Sequence, residues 1–465
     1  MRREGINLCE SFLCSLTILA LIFATVQGFA ASGKKIWVAP RTTSGKPVPK
    51  GSIKFYGYDS HKLAQYKTLN KLSYAMNQKL RNQGLGAKKN SYVNGTVDTI
   101  PYFSSWFITG SRNSVYPYSM VGHSPSAGGT TRVNTVIIPV TSVLTVGGAI
   151  MYTFDPNVAT DPQGDDITLI AASPLFDATT TYPGPPSETG QFSDSHQRVA
   201  FRTTAAANWH TVLNNQSVPG FGTMFLEWNN GDWACISGNA PPCDPATGDF
   251  PIFNINTISN AFQFFLTASK LPNTTFTIFV TDWLTAFVPG GGCCVLGFHS
   301  AQAGIQDPAG VSVWTWGTFI PHNPDNGFTN PFAPFGDDTM VLSHEIDETY
   351  NDPFVQVGGT RVSPWVDGSV SFAQANLETG DVIEGMAAAD VVYNVNLPVA
   401  GGYTYTVQNV ANLEWFTRNP FNGGIYSFPN QGTLSHAPHP VGCTLGPPCW
   451  NYGQGSAGFF FGPPF

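Results

Sequence analysis

Charge is scarce in this sequence: Lys, Arg, Asp and Glu make up 11% of its 465 residues, against about 25% in ordinary soluble domains. Aromatic residues at 13% exclude the composition of an unfolded acidic chain. No stretch after the first thirty residues is long and apolar enough to cross a bilayer, which takes about 20 residues. There is no CxxC pair, which argues against a zinc knuckle. There is no Gly-x-Ser-x-Gly elbow, which argues against a serine hydrolase of the α/β type. Neither an internal repeat nor a nucleic-acid-binding motif is present, and no nucleic-acid partner is expected. Plentiful Gly (48) and Pro (36) point to a β-rich, loop-rich protein.

The N-terminus reads as an export leader. Met1-Arg2-Arg3 precede an uncharged apolar run from Leu16 to Val26, and small residues follow at Gly28, Ala30 and Ala31. That order predicts a secretory signal peptide over residues 1–30, cut between Gly28 and Ser32. An uncleaved anchor is the alternative; the run is short for a span. A secreted, extracellular or periplasmic product without a transmembrane span follows. Cys9 and Cys14 would leave with the leader, so Cys235, Cys243, Cys293, Cys294, Cys443 and Cys449 remain. An even count in an exported chain favours disulfides. Cys235 with Cys243 and Cys443 with Cys449 are the natural local loops, while Cys293 and Cys294 either bridge each other or pair elsewhere.

Charge is unevenly divided. Residues 31–90 hold 13 of the 22 Lys and Arg and one acid, Asp59, for a net of +12, whereas residues 91–465 have a net of −20. Within the basic segment Leu63, Tyr66, Leu69, Leu72, Met76 and Leu80 recur at helical spacing, and Gly84 and Gly86 end the pattern. This helix is a prosegment docked on the acidic body, an arm for an anionic wall polymer or lipid surface, or a solvated helix. The expected units are a basic N-terminal segment over 31–130, an α+β body over 131–435, and a Pro-, Gly- and Phe-rich tail over 436–465. Within the first of these, residues 91–130 read as irregular.

Strands are expected at 133–140, 149–154, 223–228, 275–280 and 311–319. A short helix is expected over 201–214, around Trp209 and His210. Another runs to Lys270, capped by Asn256 or Thr257, with Ile258, Phe262, Phe265 and Leu266 on one face. A further helix starts near Asp338. This order predicts the α+β class with a mixed sheet and β- and loop-rich flanks.

The segment Ser343-His344-Glu345-Ile346-Asp347-Glu348-Thr349-Tyr350-Asn351-Asp352-Pro353 carries the chemistry. Asp337 or Asp338 would cap its helix, and Pro353 follows its end. On a helix, His344 and Glu348 lie one turn apart on one face, a two-ligand metal grip. Glu345 stands where HExxH metallopeptidases place their general base. Glu348 replaces the second histidine of that motif with a carboxylate, a harder ligand that still binds zinc. A third ligand is expected from Leu377-Glu378-Thr379-Gly380-Asp381-Val382-Ile383-Glu384-Gly385, as Glu378 or Asp381, with Asp352 a second possibility. The bland alternative makes Asp347 and Glu348 solvated charges on an exposed helix.

The run SHEIDETYNDPF, then Trp365, then LETGDVIEG resembles a pattern in exported HExxE-type metallopeptidase-like proteins of bacteria. It is similar also to the plant Exordium-like, or phosphate-induced, extracellular proteins. Their Cys-Gly-Phe-His-Ser-like stretch has a counterpart in Cys294-Val295-Leu296-Gly297-Phe298-His299-Ser300, with two residues inserted. The resemblance covers about 270–390. It implies a metzincin-like or gluzincin-like active-site helix with His344 and Glu348 as metal ligands. It also implies Glu345 as base and Glu378 or Asp381 as third ligand. Several plant members are regarded as growth-related wall proteins.

Two functions follow as expectations. One is a metal-dependent hydrolase, a peptidase acting on peptide or protein, with zinc as cofactor. The other is a non-catalytic extracellular or wall-associated protein with a structural or vestigial site, for which three carboxylates and one histidine would also suit calcium. His299 either lines the site or, more commonly for such a residue, is a satisfied core histidine. Asp194, His196 and His210 with Ser193 or Ser195 form a second candidate cluster. His436 and His439 read as residues of an exposed tail. Asn94, Asn215 and Asn273 begin glycosylation sequons.

Overall fold

In the computed structural model the described residues are 93–94, 97–109, 114–159, 164–215, 222–228, 233–238, 241–244, 249–288, 293–303, 310–322, 330, 332–354, 366–367, 377–398, 402–418, 420, 423–441, 449–451 and 459–461. The leader, the basic helix over 63–80, Trp365 and Cys443 lie outside them. None of the described helices is long and apolar enough to cross a membrane.

The fold is α+β and strand-rich, as expected, around a mixed seven-stranded sheet. Its main path runs Gly297–Ala303, Val311–Phe319, Phe276–Asp282, Thr130–Val146, Ala149–Phe154. The long strand Thr130–Val146 pairs in parallel with Phe276–Asp282, and in parallel with His210–Asn215 and Met224–Trp228 on its other side. Phe276–Asp282 and Val311–Phe319 are also parallel, while Gly297–Ala303 closes the edge antiparallel. Both parallel central strands are buried at every position. A sheet covered on both faces demands this.

One face is covered by the helix Ile255–Ser269, whose cap is Asn254: its side chain accepts from Asn256 N–H. The expected cap at Asn256 or Thr257 is thus two or three residues late. Phe262 stacks on Phe279 at 4.3 Å between ring centroids, and Trp314, Trp316 and Phe298 complete an aromatic cluster. Each fully buried ring of this kind contributes about 1.5–3 kcal/mol relative to exposure.

The other face is covered by the helix Met340–Asn351. Gly297 and Gly317 are cross-strand partners beneath it. A Cβ on Gly297 would stand 2.6 Å from Val341 Cγ1 and 2.8 Å from Glu345 Cγ, and one on Gly317 would stand 2.7 Å from Leu342 Cδ2. The missing side chains let the helix settle onto the strands, and residues 340–350 are all buried. The hairpin Val392–Leu397/Tyr403–Gln408 packs against the same helix.

Several expectations are corrected. The described part of 91–130 is not irregular: Tyr102–Thr109 and Ser114–Val121 pair antiparallel. Their Phe103, Tyr118 and Met120 join the core cluster of Ile252 and Trp316, so the packed body begins before 131. The helix expected over 201–214 lies earlier, at Phe192–Ala200, and His210–Asn215 is a strand. Arg198 Nη1 donates to the carbonyls of Ala207 and Trp209, so the return from helix to strand is fixed by a side chain from the helix. In the tail, His439–Val441, Cys449–Asn451 and Phe459–Phe461 form a sheet with Val366–Asp367. Cys235 and Cys243 form the expected disulfide, and Cys293 and Cys294 bridge each other. The pairing of Cys443 with Cys449 lies outside the described residues.

Candidate metal centre

The Met340–Asn351 helix begins after Thr339, whose side chain makes no capping bond. Asp338 does not cap it. Its carboxylate accepts from the backbone N–H of Thr406 and from His322, and so ties the helix start to the neighbouring hairpin. The reading of Asp347 and Glu348 as solvated charges is corrected, since both are fully buried. Asp347 accepts from His196 Nδ1 at 2.9 Å, Thr379 Oγ1 at 2.8 Å and Asn351 Nδ2 at 3.2 Å. One carboxylate thereby joins the Phe192–Ala200 helix, the site helix and the 377–380 loop.

His344, Glu345 and Glu348 are all 0% exposed. His344 Nε2 lies 3.1 Å from Glu348 Oε1, the same-face pairing that i, i+4 spacing dictates. Gln408 donates from Nε2 to the carbonyl of Gly380, which fixes its Oε1 toward His344 Nδ1 at 2.8 Å. Nδ1 therefore carries the proton and, in the neutral ring, Nε2 carries the lone pair. Gly380 lies flat against the imidazole: a Cβ there would stand 2.3 Å from Nδ1. Its N–H donates to Glu348 Oε1 at 3.1 Å. His344, Glu348 and Asp381 bring three ligand atoms within 4.8 Å of one another.

The second expected donor, Glu378, lies elsewhere. Its Oε1 is 3.1 Å from Nε2 of His299, close but not aligned for a hydrogen bond. His299 projects from the Gly297–Ala303 strand and is 0% exposed. Its Nδ1 is 3.5 Å from Glu345 Oε2 and 3.6 Å from Glu348 Oε2. His299, Glu345 and Glu348 form a second triad of ligand atoms within 4.8 Å, and Glu348 belongs to both. His299 is not the satisfied core histidine that its strand suggested. Asp352 enters neither triad. Cys235, Cys243 and Asp249 also lie close together, but the two sulfurs are bonded to each other.

Burial and mutual charge set the protonation of this cluster. Burial would raise Glu348, yet the His344 charge and the closeness of both imidazoles hold it at about 2. Burial pushes Glu345 to about 7 and Glu378 to about 8, and drives Asp381 well up. Burial would lower both histidines, but the Glu378 charge beside His299 and the Glu348 charge beside His344 lead a set of carboxylates that raise them well above the usual value. Four carboxylates and two imidazoles in a dry space need positive charge, as protons or as a cation. Among the described residues, neither oxygen of Glu345 and neither of Glu378 has a hydrogen-bond partner. Buried carboxylate oxygens without a protein partner call for a proton, an ordered water or an ion.

The other candidate cluster divides. His210 Nδ1 donates to Asp194 at 2.8 Å and Thr211 N–H to the other oxygen, whereas His196 turns to Asp347. No serine–histidine–aspartate relay results.

No family model matches the chain, nor does any curated protein or solved structure, so the residues of this buried cluster are the basis for any functional reading.

Proposed function

We propose that this protein is an exported metal-dependent hydrolase, most simply a peptidase, whose metal is held by His344, Glu348 and Asp381. The observation that carries the reading is the orientation of His344. Gln408 Oε1 accepts a hydrogen bond from Nδ1–H, so Nε2 faces Glu348 with its lone pair available to a metal. Histidine and carboxylate donors suit zinc, which in catalytic sites keeps one position for water and lowers its pKa. The chain's own contribution is threefold. Gly380 and Gln408 fix the ligand ring, Asp347 fixes the loop that bears Asp381, and Glu345 stands on the helix beside the ligands as the proton acceptor. The motif resemblance to exported HExxE metallopeptidase-like proteins supports the same assignment.

A second reading has its own support. His299, His344, Glu345 and Glu348 are all fully buried, which suits a structural ion in a non-catalytic extracellular protein. Peptide hydrolysis by the metal-loaded protein decides between them. The hydrolase reading expects activity that a chelator abolishes. It expects Glu345→Gln to keep its metal at the His344 position and to lose about 10²–10⁴-fold in rate. Metal without hydrolysis across a broad peptide library favours the structural reading, and full activity in Glu345→Gln contradicts the hydrolase.

A further inference from the structure

We infer that the cluster is built for two cations, bridged by Glu348, with His299 and Glu345 completing the second position. The inference rests on the reading of His344, Glu348 and Asp381 as the first. The two oxygens of Glu348 face different histidines: Oε1 lies 3.1 Å from His344 Nε2, and Oε2 lies 3.6 Å from His299 Nδ1. A carboxylate placed between two imidazoles in this way can give one oxygen to each of two ions.

The spacing of the second triad fits a metal. Around a tetrahedral centre with bonds of about 2.0–2.1 Å, neighbouring donor atoms stand about 3.3–3.4 Å apart. His299 Nδ1 is 3.5 Å from Glu345 Oε2 and 3.6 Å from Glu348 Oε2. These are donor-to-donor edges, longer than the separations of about 2.7–2.9 Å usual in charged hydrogen bonds. Neither ring nitrogen of His299 has an aligned hydrogen bond among the described residues, although the ring is entirely buried.

The two histidines turn their other ring nitrogen to an oxygen in the same sense, although only that of His344 makes a hydrogen bond. A metal-bound imidazole almost always turns its other nitrogen to an oxygen acceptor. His344 Nδ1 faces Gln408 Oε1 at 2.8 Å, and His299 Nε2 faces Glu378 Oε1 at 3.1 Å. Glu378 is then the positioning carboxylate of the second histidine and not a ligand of the first ion. Each position offers one imidazole and two carboxylates, the donor set of a divalent d-block ion such as zinc or cobalt. Two ions sharing a bridging carboxylate are a common arrangement for hydrolysis of amide and phosphate esters. When Glu345 gives one oxygen to the second ion, its other oxygen remains for the proton of the attacking water.

The test is metal stoichiometry. Full-length secreted protein is stripped with chelator, refilled with excess Co²⁺, desalted and counted by mass spectrometry, with the electron paramagnetic resonance of the bound cobalt recorded. Two ions per chain with a magnetically coupled signal are expected for the wild type. One ion and an uncoupled signal are expected for His299→Ala and for the gentler His299→Gln. One ion per wild-type chain, lost in His344→Ala, overturns the two-ion inference and leaves the single-metal reading standing. Two ions retained in a folded His299 variant overturn it equally. No bound cobalt in the wild type overturns both.

Discussion

His299 Nδ1 lies 3.5 Å from Glu345 Oε2, across the gap between an edge strand and the helix that covers it. The approach depends on Gly297, two residues earlier on the same strand face, where a Cβ would meet Glu345 Cγ at 2.8 Å. The strand supplies the histidine and also the space for the carboxylate it faces.

Gly297→Ala is therefore expected to act on stability and site together. Overpacking of this kind costs about 1–3 kcal/mol. The added methyl also pushes Glu345 from its place, so metal uptake should weaken in the folded fraction. Urea denaturation and a metal titration on the same preparation check both. A variant with wild-type stability and wild-type uptake would show that the helix does not sit this close.

Asp347→Asn removes a charge that three donors share, from His196, Thr379 and Asn351. A buried group left without its partner costs about 1–3 kcal/mol. The 377–380 loop should loosen with it, because Thr379 loses its anchor. Hydrogen exchange at residues 377–385 should rise selectively. Unchanged protection there would sever the proposed link between Asp347 and the placement of Asp381.

The His322–Asp338 pair gives a pH dependence whose sign is set. The bond to Asp338 raises His322 from 6.5 to about 9, against the effect of burial. Burial pushes Asp338 up although His322 pulls it down, so burial opposes the charge of both partners and the pair sets a limit at each end. On the alkaline side His322 governs. A histidine raised in the folded state contributes fully below about pH 6.5, and that contribution disappears as pH rises through about 9. Stability should fall across this window in the wild type relative to His322→Gln. Parallel pH curves for the two proteins would contradict the pairing.

Reduction of Cys235–Cys243, which closes a loop with a sequence separation of 8, should cost about 2–3 kcal/mol on the chain-entropy account. A Cys235→Ser/Cys243→Ser double variant compared with wild type in guanidinium measures it. No loss of stability would mean that the loop is held by other contacts, such as Ser237 on Asp249.

Local pattern explains what the sequence made legible. The alternation of Val311 to Phe319 and the apolar run of Thr275 to Val280 identified strands, found at Val311–Phe319 and Phe276–Asp282, because each residue's face is set by its neighbours at two-residue spacing. His344, Glu345 and Glu348 were visible for the same reason, as a helical i, i+4 grip with an adjacent carboxylate. The strand pair at 102–109 and 114–121 was not, because its Ser, Tyr and Pro resemble a loop until Phe103, Tyr118 and Met120 are packed. His299 gave only a weak sign. Strand alternation places it on the face of Gly297 and Ala301, but the carboxylates that give it meaning come from residues 345, 348 and 378. The choice between Glu378 and Asp381 was equally closed to pattern. The two lie three residues apart, and only the turn at Gly380 sends one to His299 and the other to His344.

The central claim is that the buried cluster holds metal, and metal analysis of the purified protein tests it most directly. Wild type and a His344→Ala/Glu348→Ala double variant are purified without chelator and measured by mass spectrometry, with circular dichroism confirming that both are folded. Stoichiometric divalent metal in the wild type and loss of it in the variant are expected. Trace metal in the wild type, or equal metal in both, would contradict the account.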